Sequence, residues 1–126
     1  MKITDITATP LTTGKSLVRI HTDVGIEGWA EGPGYNKIIP SQNVVVFNAY
    51  LESVVKPVLI GEDPLQIDRH WETLAMGKDE YFYQLPASVV GVIDIALWDI
   101  LGKETGQPVY TLMGGAARKS ISLYWS

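Results

Sequence analysis

Few side chains in this sequence of 126 residues could carry acid–base or metal chemistry, and they are scattered. Its two histidines, His21 and His70, have no carboxylate at ligand spacing that would also face a cleft. Asp94 and Asp99 lie five residues apart in a helical pattern, so their carboxylates point in different directions, and no third ligand stands beside them. We therefore predict structural roles for these four residues and no catalytic or metal site within the sequence.

Composition and spacing exclude several other functional classes. The absence of cysteine excludes disulfides, thiolate metal sites and cysteine nucleophiles. The stretch Gly32-Pro33-Gly34 has neither the spacing of a dinucleotide-binding loop nor the lysine of a P-loop. With a net charge of −4 and no basic cluster, nucleic acids and anionic membranes are poor candidate partners. The first residues lack the apolar core of a signal peptide, so a cytoplasmic location is expected.

The element that must position any functional residue is a predicted central helix whose apolar run covers residues 87–101. This run contains only three strongly polar side chains and is apolar on nearly every face, which is typical of a buried helix. Pro86 suits its first position, and Gly106 marks its end. The run is too short and too charged to span a membrane, which needs about 20 apolar residues.

Three short strands precede this helix. β-Branched residues and alternating polarity predict strands at residues 2–9, 16–22 and 26–31. Turn-forming residues at 12–14 and 23–25 connect them, with Gly25 able to adopt positive φ. Short connections between successive strands predict an antiparallel meander.

A change to helical periodicity follows the third strand. Residues 41–55 are predicted to form a helix that Pro57 ends, and its apolar stripe consists of Val44, Phe47, Leu51 and Val54.

A second helix is predicted to start with Asp63 as N-cap, Pro64 at the first position and Gln66 completing a capping pair. Its expected apolar stripe consists of Ile67, Trp71 and Leu74, and its expected end is Gly77.

The end of the sequence carries a short helix over residues 108–113 and a predicted strand over residues 120–125. This last strand has no evident partner in the first sheet, so we expect it to open a further domain.

Three stretches of the sequence resemble motifs of one protein family. The stretch IDIALWDILGKETGQPVYTLMGG (93–115) resembles the signature at the end of the N-terminal domain in the mandelate racemase/muconate lactonizing enzyme family of the enolase superfamily. VRIHTDVGIEGWAEG (18–32) resembles the second and third strands of that domain, and GEDPLQIDRHWETL (61–74) resembles its second helix. The matches occur in the family's order and cover nearly the whole chain.

The resemblance implies an α+β fold, with a three-stranded antiparallel meander followed by a helical bundle. In the family this capping domain precedes a (β/α) barrel, which takes about 250 residues. We therefore expect residues 1–115 to be the N-terminal capping domain. Residues 116–126 would be a linker and the first strand of a barrel that is not included.

The resemblance also implies a chemistry. The family removes a proton from the carbon next to a carboxylate, with Mg²⁺ stabilising the resulting ene-diolate and a lysine or histidine acting as base. This sequence lacks the family's Lys-x-Lys motif, so the base and the Mg²⁺ ligands are expected in the barrel. The expected whole protein is a sugar-acid dehydratase, and the alternatives of the same superfamily are a cycloisomerase, a racemase and a dipeptide epimerase. The chain alone is expected to be inactive, and a homo-oligomer is expected.

Substrate contacts are expected from loops that, in the family, fold over the barrel mouth. They map to residues 12–15 and 32–37, and the candidate substrate-binding residues there are Thr13, Tyr35 and Asn36. Trp125 and Ser126 are further candidates because they end the presumed first barrel strand. The aromatic run Tyr81, Phe82 and Tyr83 is expected to pack between capping domain and barrel.

A function of a different class is also compatible with the sequence. The chain could be a free-standing binding or assembly module without catalysis. The next stretch of coding sequence distinguishes the two, because acidic ligands on strand ends would support the enzyme and a stop codon would support the module.

Overall fold

A three-stranded antiparallel sheet and a layer of helices on one of its faces make up the fold. The structure is a computed structural model, and it describes residues 1–34, 43–76 and 85–124. The strands β1 (Ile3–Pro10), β2 (Ser16–Thr22) and β3 (Glu27–Gly32) are ordered β1-β2-β3. The predicted meander is confirmed, and every predicted strand boundary lies within one residue of the observed one.

The register of the sheet places small and apolar residues on its inner face. Ile6 pairs with Ile20, and Val18 pairs with both Ala8 and Ala30. Ile6, Val18 and Ile20 have no solvent exposure at all. Polar and charged side chains alternate with these residues and occupy the outer face, as expected for a sheet covered on one side only.

The central helix α4 (Ala87–Thr105) covers the inner face of the sheet. It is four residues longer than the run on which the prediction rested, and Pro86 lies at its N-cap, one position before the expected one. Gly106 ends it in the left-handed conformation, with φ of 65°, as predicted. The helix buries one side against β3, where Gly28 provides the room for its backbone.

The first helical segment differs from the prediction that Pro57 ends it. Helix α1 (Val44–Tyr50) runs into a π-helical turn (Leu51–Val55) and then into α2 (Lys56–Leu59). Lys56 N–H bonds the carbonyl of Leu51, five residues back. This wider turn precedes the proline and accommodates its ring, which in an α-helix would clash with the carbonyl four residues earlier. Val55 therefore occupies the core position predicted for Val54, which is only partly buried.

The next helix, α3 (Ile67–Met76), begins later than predicted. Asp63 caps a separate turn instead, because its carboxylate accepts the Leu65 N–H at 3.1 Å and its carbonyl accepts the Gln66 N–H at 3.2 Å. The predicted apolar stripe is also wrong at Trp71, which is exposed, whereas His70 is buried. His70 can be buried since its ring is hydrogen-bonded within the domain.

The last described segment contains the short helix α5 (Val109–Leu112), followed by extended, exposed chain. The predicted strand at residues 120–125 is not formed in its described part, residues 120–124. A strand requires a hydrogen-bonded neighbour, and within the described residues none lies beside this segment. None of the helices in the described ranges combines the length and apolar character that a membrane crossing needs.

Candidate functional site

Of the five predicted substrate-binding residues, the structure describes only Thr13. It lies in the turn between β1 and β2, and it is exposed. Tyr35, Asn36, Trp125 and Ser126 lie outside the described residues, and their proposed contacts remain predictions. The aromatic run at 81–83 also lies outside them.

The turn that carries Thr13 lies directly against the loop that follows β3. The Ser16 hydroxyl donates a hydrogen bond to the Pro33 carbonyl at 2.8 Å. Gly34 approaches Gly14 so closely that a Cβ on Gly34 would overlap the Gly14 carbonyl oxygen. The structure thus places the end of the β1–β2 turn against the start of the loop after β3.

An apolar groove of about 580 Å³ runs along the outer side of α4. Apolar side chains dominate its lining: Trp29, Ile95, Trp98, Val109 and Met113. Ile95 is 57% exposed and Met113 is 68% exposed, which is unusual for large apolar residues lying together. Three charged groups, Asp94, Asp99 and Lys103, complete the lining.

Asp99 joins α4 to the free edge of the sheet. Its carboxylate accepts the backbone N–H of Trp29 at 2.8 Å and a hydrogen bond from Lys103 Nζ at 2.6 Å. Lys103 Nζ also donates to the Glu27 carbonyl at 2.7 Å and lies 5.6 Å from the centre of the Trp29 ring. The predicted structural role of Asp99 is confirmed by these contacts, which occupy its carboxylate.

Asp94 lies half-buried in the groove, five positions before Asp99 on the same helix. Burial raises the pKa of its carboxyl above the ordinary value, and the negative charge of Asp68 on α3 raises it further. Among the described residues, no three acidic or histidine side chains are grouped so that they could hold a metal ion. The side chains in the described ranges therefore do not form a Mg²⁺ site.

The two histidines take part in hydrogen bonds within the domain. His70 Nε2 lies 2.7 Å from the Asp63 carbonyl, so this nitrogen carries the proton, because a carbonyl can only accept. His21 Nδ1 lies 2.8 Å from a Glu27 carboxylate oxygen, and its Nε2 lies 3.2 Å from the Thr7 hydroxyl. These contacts support the structural roles predicted for both.

Replacing Asp94 with asparagine is expected to stabilise the domain at pH 7. Because the pKa is raised on folding, the native state binds more protons than the unfolded state between pH 3.8 and the folded pKa. The free energy of unfolding of the wild type therefore falls as pH rises through that window. The uncharged side-chain amide of the variant does not titrate, so the variant does not lose this stability. We expect the Tm of Asp94→Asn to exceed that of the wild type by roughly 1–3 °C at pH 7 and to match it near pH 3.

Thermal unfolding followed by circular dichroism at both pH values measures this difference. Asp99→Asn is the control, because it removes the charge of a carboxylate that pairs with Lys103. The Tm of this variant should fall below the wild-type value at pH 7. A Tm of Asp94→Asn below the wild-type value at pH 7 would contradict the expectation.

Sequence reasoning missed the groove and the contact between the loops. A signal for the groove was present, because α4 is apolar on nearly every face and a single sheet can cover only one side. The contact of Gly34 with Gly14 had no such signal, since it depends on how β1, β2 and β3 bring distant residues together.

The fold and this site define an α+β domain of the kind found at the N-terminus of enolase-superfamily proteins. The family model described as mandelate racemase/muconate lactonizing enzyme, N-terminal domain, matches residues 6–114. The chain belongs to this family, and the resemblance seen in its motifs is confirmed.

Two relatives show how much of a full-length protein of this family the chain matches. The chain is 39% identical over 127 aligned residues to a D-galactonate dehydratase of Pectobacterium atrosepticum, covering 98% of this chain and 31% of that protein. It is 41% identical over 113 residues to a cis-3-hydroxy-L-proline dehydratase of Roseibium aggregatum, covering 86% and 28%.

A similar solved structure is that of an enolase from Pantoea ananatis with bound D-gluconate and Mg. It has a TM-score of 0.71 and 30% identity, and the match covers 93% of this chain and 28% of the other. The chain therefore spans about a quarter to a third of the length of the relatives it matches.

Proposed function

We propose that this chain is the substrate-capping domain of a Mg²⁺-dependent dehydratase that acts on acid sugars. The observation that carries this proposal is the alignment of 98% of the chain with 31% of a D-galactonate dehydratase. The remaining part of that relative has no counterpart in this chain. The catalytic base and the Mg²⁺ ligands are therefore assigned to a barrel domain outside the chain.

The relatives favour substrates of one chemical class. Two of them are dehydratases named for D-galactonate and for cis-3-hydroxy-L-proline, and the Pantoea ananatis structure holds D-gluconate. All three compounds have a carboxylate and a hydroxyl group on the carbon β to it. Removal of the α proton and departure of the β hydroxyl as water would leave a double bond, and an aldonate would then rearrange to a 2-keto acid.

The apolar groove supports the existence of a further domain against this one. An exposed patch that includes two tryptophans and Ile95 is expected where another protein surface binds. We assign it to contact with the chain's own barrel domain. Thr13, Tyr35 and Asn36 in the loops, with Trp125 and Ser126, would then contact the substrate and exclude water from it.

The whole gene product, purified and stripped of metal with EDTA, provides the test. It is incubated with D-galactonate, D-gluconate and cis-3-hydroxy-L-proline, with and without MgCl₂, and the 2-keto acid or dehydrated product is measured. We expect turnover of at least one acid sugar only when Mg²⁺ is restored. No turnover of either sugar acid with Mg²⁺ present would overturn the proposed function.

The isolated chain serves as the control for where the chemistry occurs. We expect it to form no product from the same acids and to show no tight Mg²⁺ binding in calorimetry, because its described carboxylates do not form a metal site. Product formation by the isolated chain would contradict the assignment of the catalytic groups to the barrel.

A further inference from the structure

We propose that Ser16 and Gly34 are positioning residues that fasten the β1–β2 turn to the start of the loop after β3, so that the two loops leave the domain from one fixed point on the substrate side. The inference rests on the proposed function for its consequence, but not for the contacts themselves. We call the group formed by Gly14, Ser16, Pro33, Gly34 and Val44 the loop anchor.

The first contact of the loop anchor is between two backbones. Gly14 adopts φ of 82°, and its carbonyl lies where a side chain of residue 34 would otherwise project. A Cβ on Gly34 would also lie 2.6 Å from the Gly14 carbonyl carbon, a distance that real Cβ atoms do not show. The obstructing atoms are backbone and cannot rotate away, so any side chain at residue 34 must push the two loops apart.

The second contact is a buried hydrogen bond. Ser16 has no solvent exposure, and its hydroxyl donates to the Pro33 carbonyl at 2.8 Å. Ser16 is the first residue of β2, and Pro33 directly follows β3, so this bond extends the pairing of the two strands beyond their last backbone pair. Losing the donor would leave the partly buried Pro33 carbonyl without this partner, which lowers stability.

The third contact joins the anchor to the helical layer. The Gly34 carbonyl accepts the N–H of Val44 at 2.8 Å, and Val44 is the first residue of α1. Asn43 caps the same helix end by accepting the Val45 N–H at 2.9 Å. Residues 34 and 44 are therefore held together at the base of the loop that carries two of the predicted substrate-binding residues.

The turn on the other side of the contact is itself well ordered by backbone hydrogen bonds. Leu11 N–H donates to the Lys15 carbonyl at 2.8 Å, and Gly14 N–H donates to the Leu11 carbonyl at 3.1 Å. Lys15 also forms an ion pair of 3.1 Å with Glu31 of β3. Because the turn is internally constrained and Gly34 is bonded to Val44, a displacement at Gly14 is transmitted to Gly34.

Such fastening matters for a site that binds substrate through loops. Preorganised contacts bind more tightly than contacts that must be ordered on binding, because the ordering costs free energy. We therefore expect a loosened anchor to raise KM for the acid about tenfold. The value of kcat should change less, since the catalytic groups belong to another domain.

Hydrogen exchange tests the fastening without any substrate. In the chain, Ser16→Ala and Gly34→Ala are each expected to speed hydrogen exchange of the backbone amides of Leu11 and Val44 at least tenfold. Neither of these amides is hydrogen-bonded to residue 16, so faster exchange in Ser16→Ala would report loosening of the loops. Ser53→Ala and Gly91→Ala are the matched controls, because the Ser53 hydroxyl donates to the Ala49 carbonyl four residues back and a Cβ on Gly91 meets nothing within 4 Å. Unchanged exchange, or faster exchange in one loop only, would overturn the proposal.

Steady-state kinetics of the whole protein test the consequence. The effects of Ser16→Ala and Gly34→Ala on KM should not add in the double variant, because both break the same anchor. Additive effects, or a KM within twofold of wild type despite faster exchange, would overturn the positioning role. Absence of turnover by the wild type is a failure of the proposed function and removes the substrate role, whereas the exchange experiment still decides whether the loops are fastened.

Discussion

Replacing Gly28 with alanine is expected to lower the free energy of unfolding by about 3 kcal/mol or to prevent folding. Gly28 lies on the inner face of β3, opposite Ile20 of β2, where α4 crosses the sheet. A Cβ there would overlap the carbonyl oxygen of Ala96 and lie 2.7 Å from Ile100 Cγ1. The Ala96 oxygen belongs to helix backbone, so the whole of α4 would have to move away from the sheet.

Urea denaturation of Gly28→Ala, followed by tryptophan fluorescence and circular dichroism, measures this loss. The control is Gly91→Ala on α4, where a Cβ meets nothing within 4 Å and alanine suits a helix better by roughly 0.5–1 kcal/mol. The two Gly→Ala changes should thus have opposite signs. A Gly28→Ala protein as stable as the wild type would show that α4 does not lie on β3 as described.

The second large effect is expected at Phe47, the largest fully buried side chain of α1. Its side chain has no solvent exposure and belongs to the core shared by the sheet and the helices. Phe47→Ala removes this apolar surface and leaves a cavity, so we expect the free energy of unfolding to fall by about 3–5 kcal/mol. This is a large part of the about 5–15 kcal/mol that stabilises a typical domain.

Val45→Ala is the matched control for this change, because Val45 is on the same helix but 64% exposed. Its effect should stay within about 0.5 kcal/mol, and equilibrium unfolding of both variants gives the comparison. If Phe47→Ala were to unfold at the same denaturant concentration as Val45→Ala, α1 would not be packed on the core. The loop anchor would then lose its support too, since α1 supplies Val44.

These two positions explain how the fold serves the proposed site. Gly28 sets the distance between the sheet and α4, and Phe47 packs α1 into the core that the sheet and the helices share. The turn after β1, the end of β3 and the start of α1 are thereby brought to one place, where the loop anchor forms. The site is therefore a product of the core packing, although only Ser16 and Val44 among its groups are buried.

Features that depend on neighbours in sequence were predictable. Alternating residues identified the three strands, an apolar run identified α4, and the glycine at 106 identified its end. The family could also be recognised, because its motifs are contiguous stretches and the match to residues 6–114 confirms them. The candidate residues at 35, 36, 125 and 126 remain predictions.

Features that depend on packing were not predictable. The continuation of the first helix through Pro57 depends on a π-helical turn, and the burial of His70 in preference to Trp71 depends on which side of α3 meets α4. The predicted strand at 120–125 had the right residue pattern, but a strand also needs a neighbour, and none lies beside its described residues.

The sequence by itself therefore determined the three strands, the central helix and the family. Only the tertiary structure decided that Asp99 caps the sheet edge at Trp29, seventy residues away, and that Gly34 rests on Gly14. The physical reason is the distance along the sequence over which each kind of interaction acts. Periodicity, capping and turn chemistry act over a few residues, whereas these contacts exist only after the core has closed and brought distant backbones together.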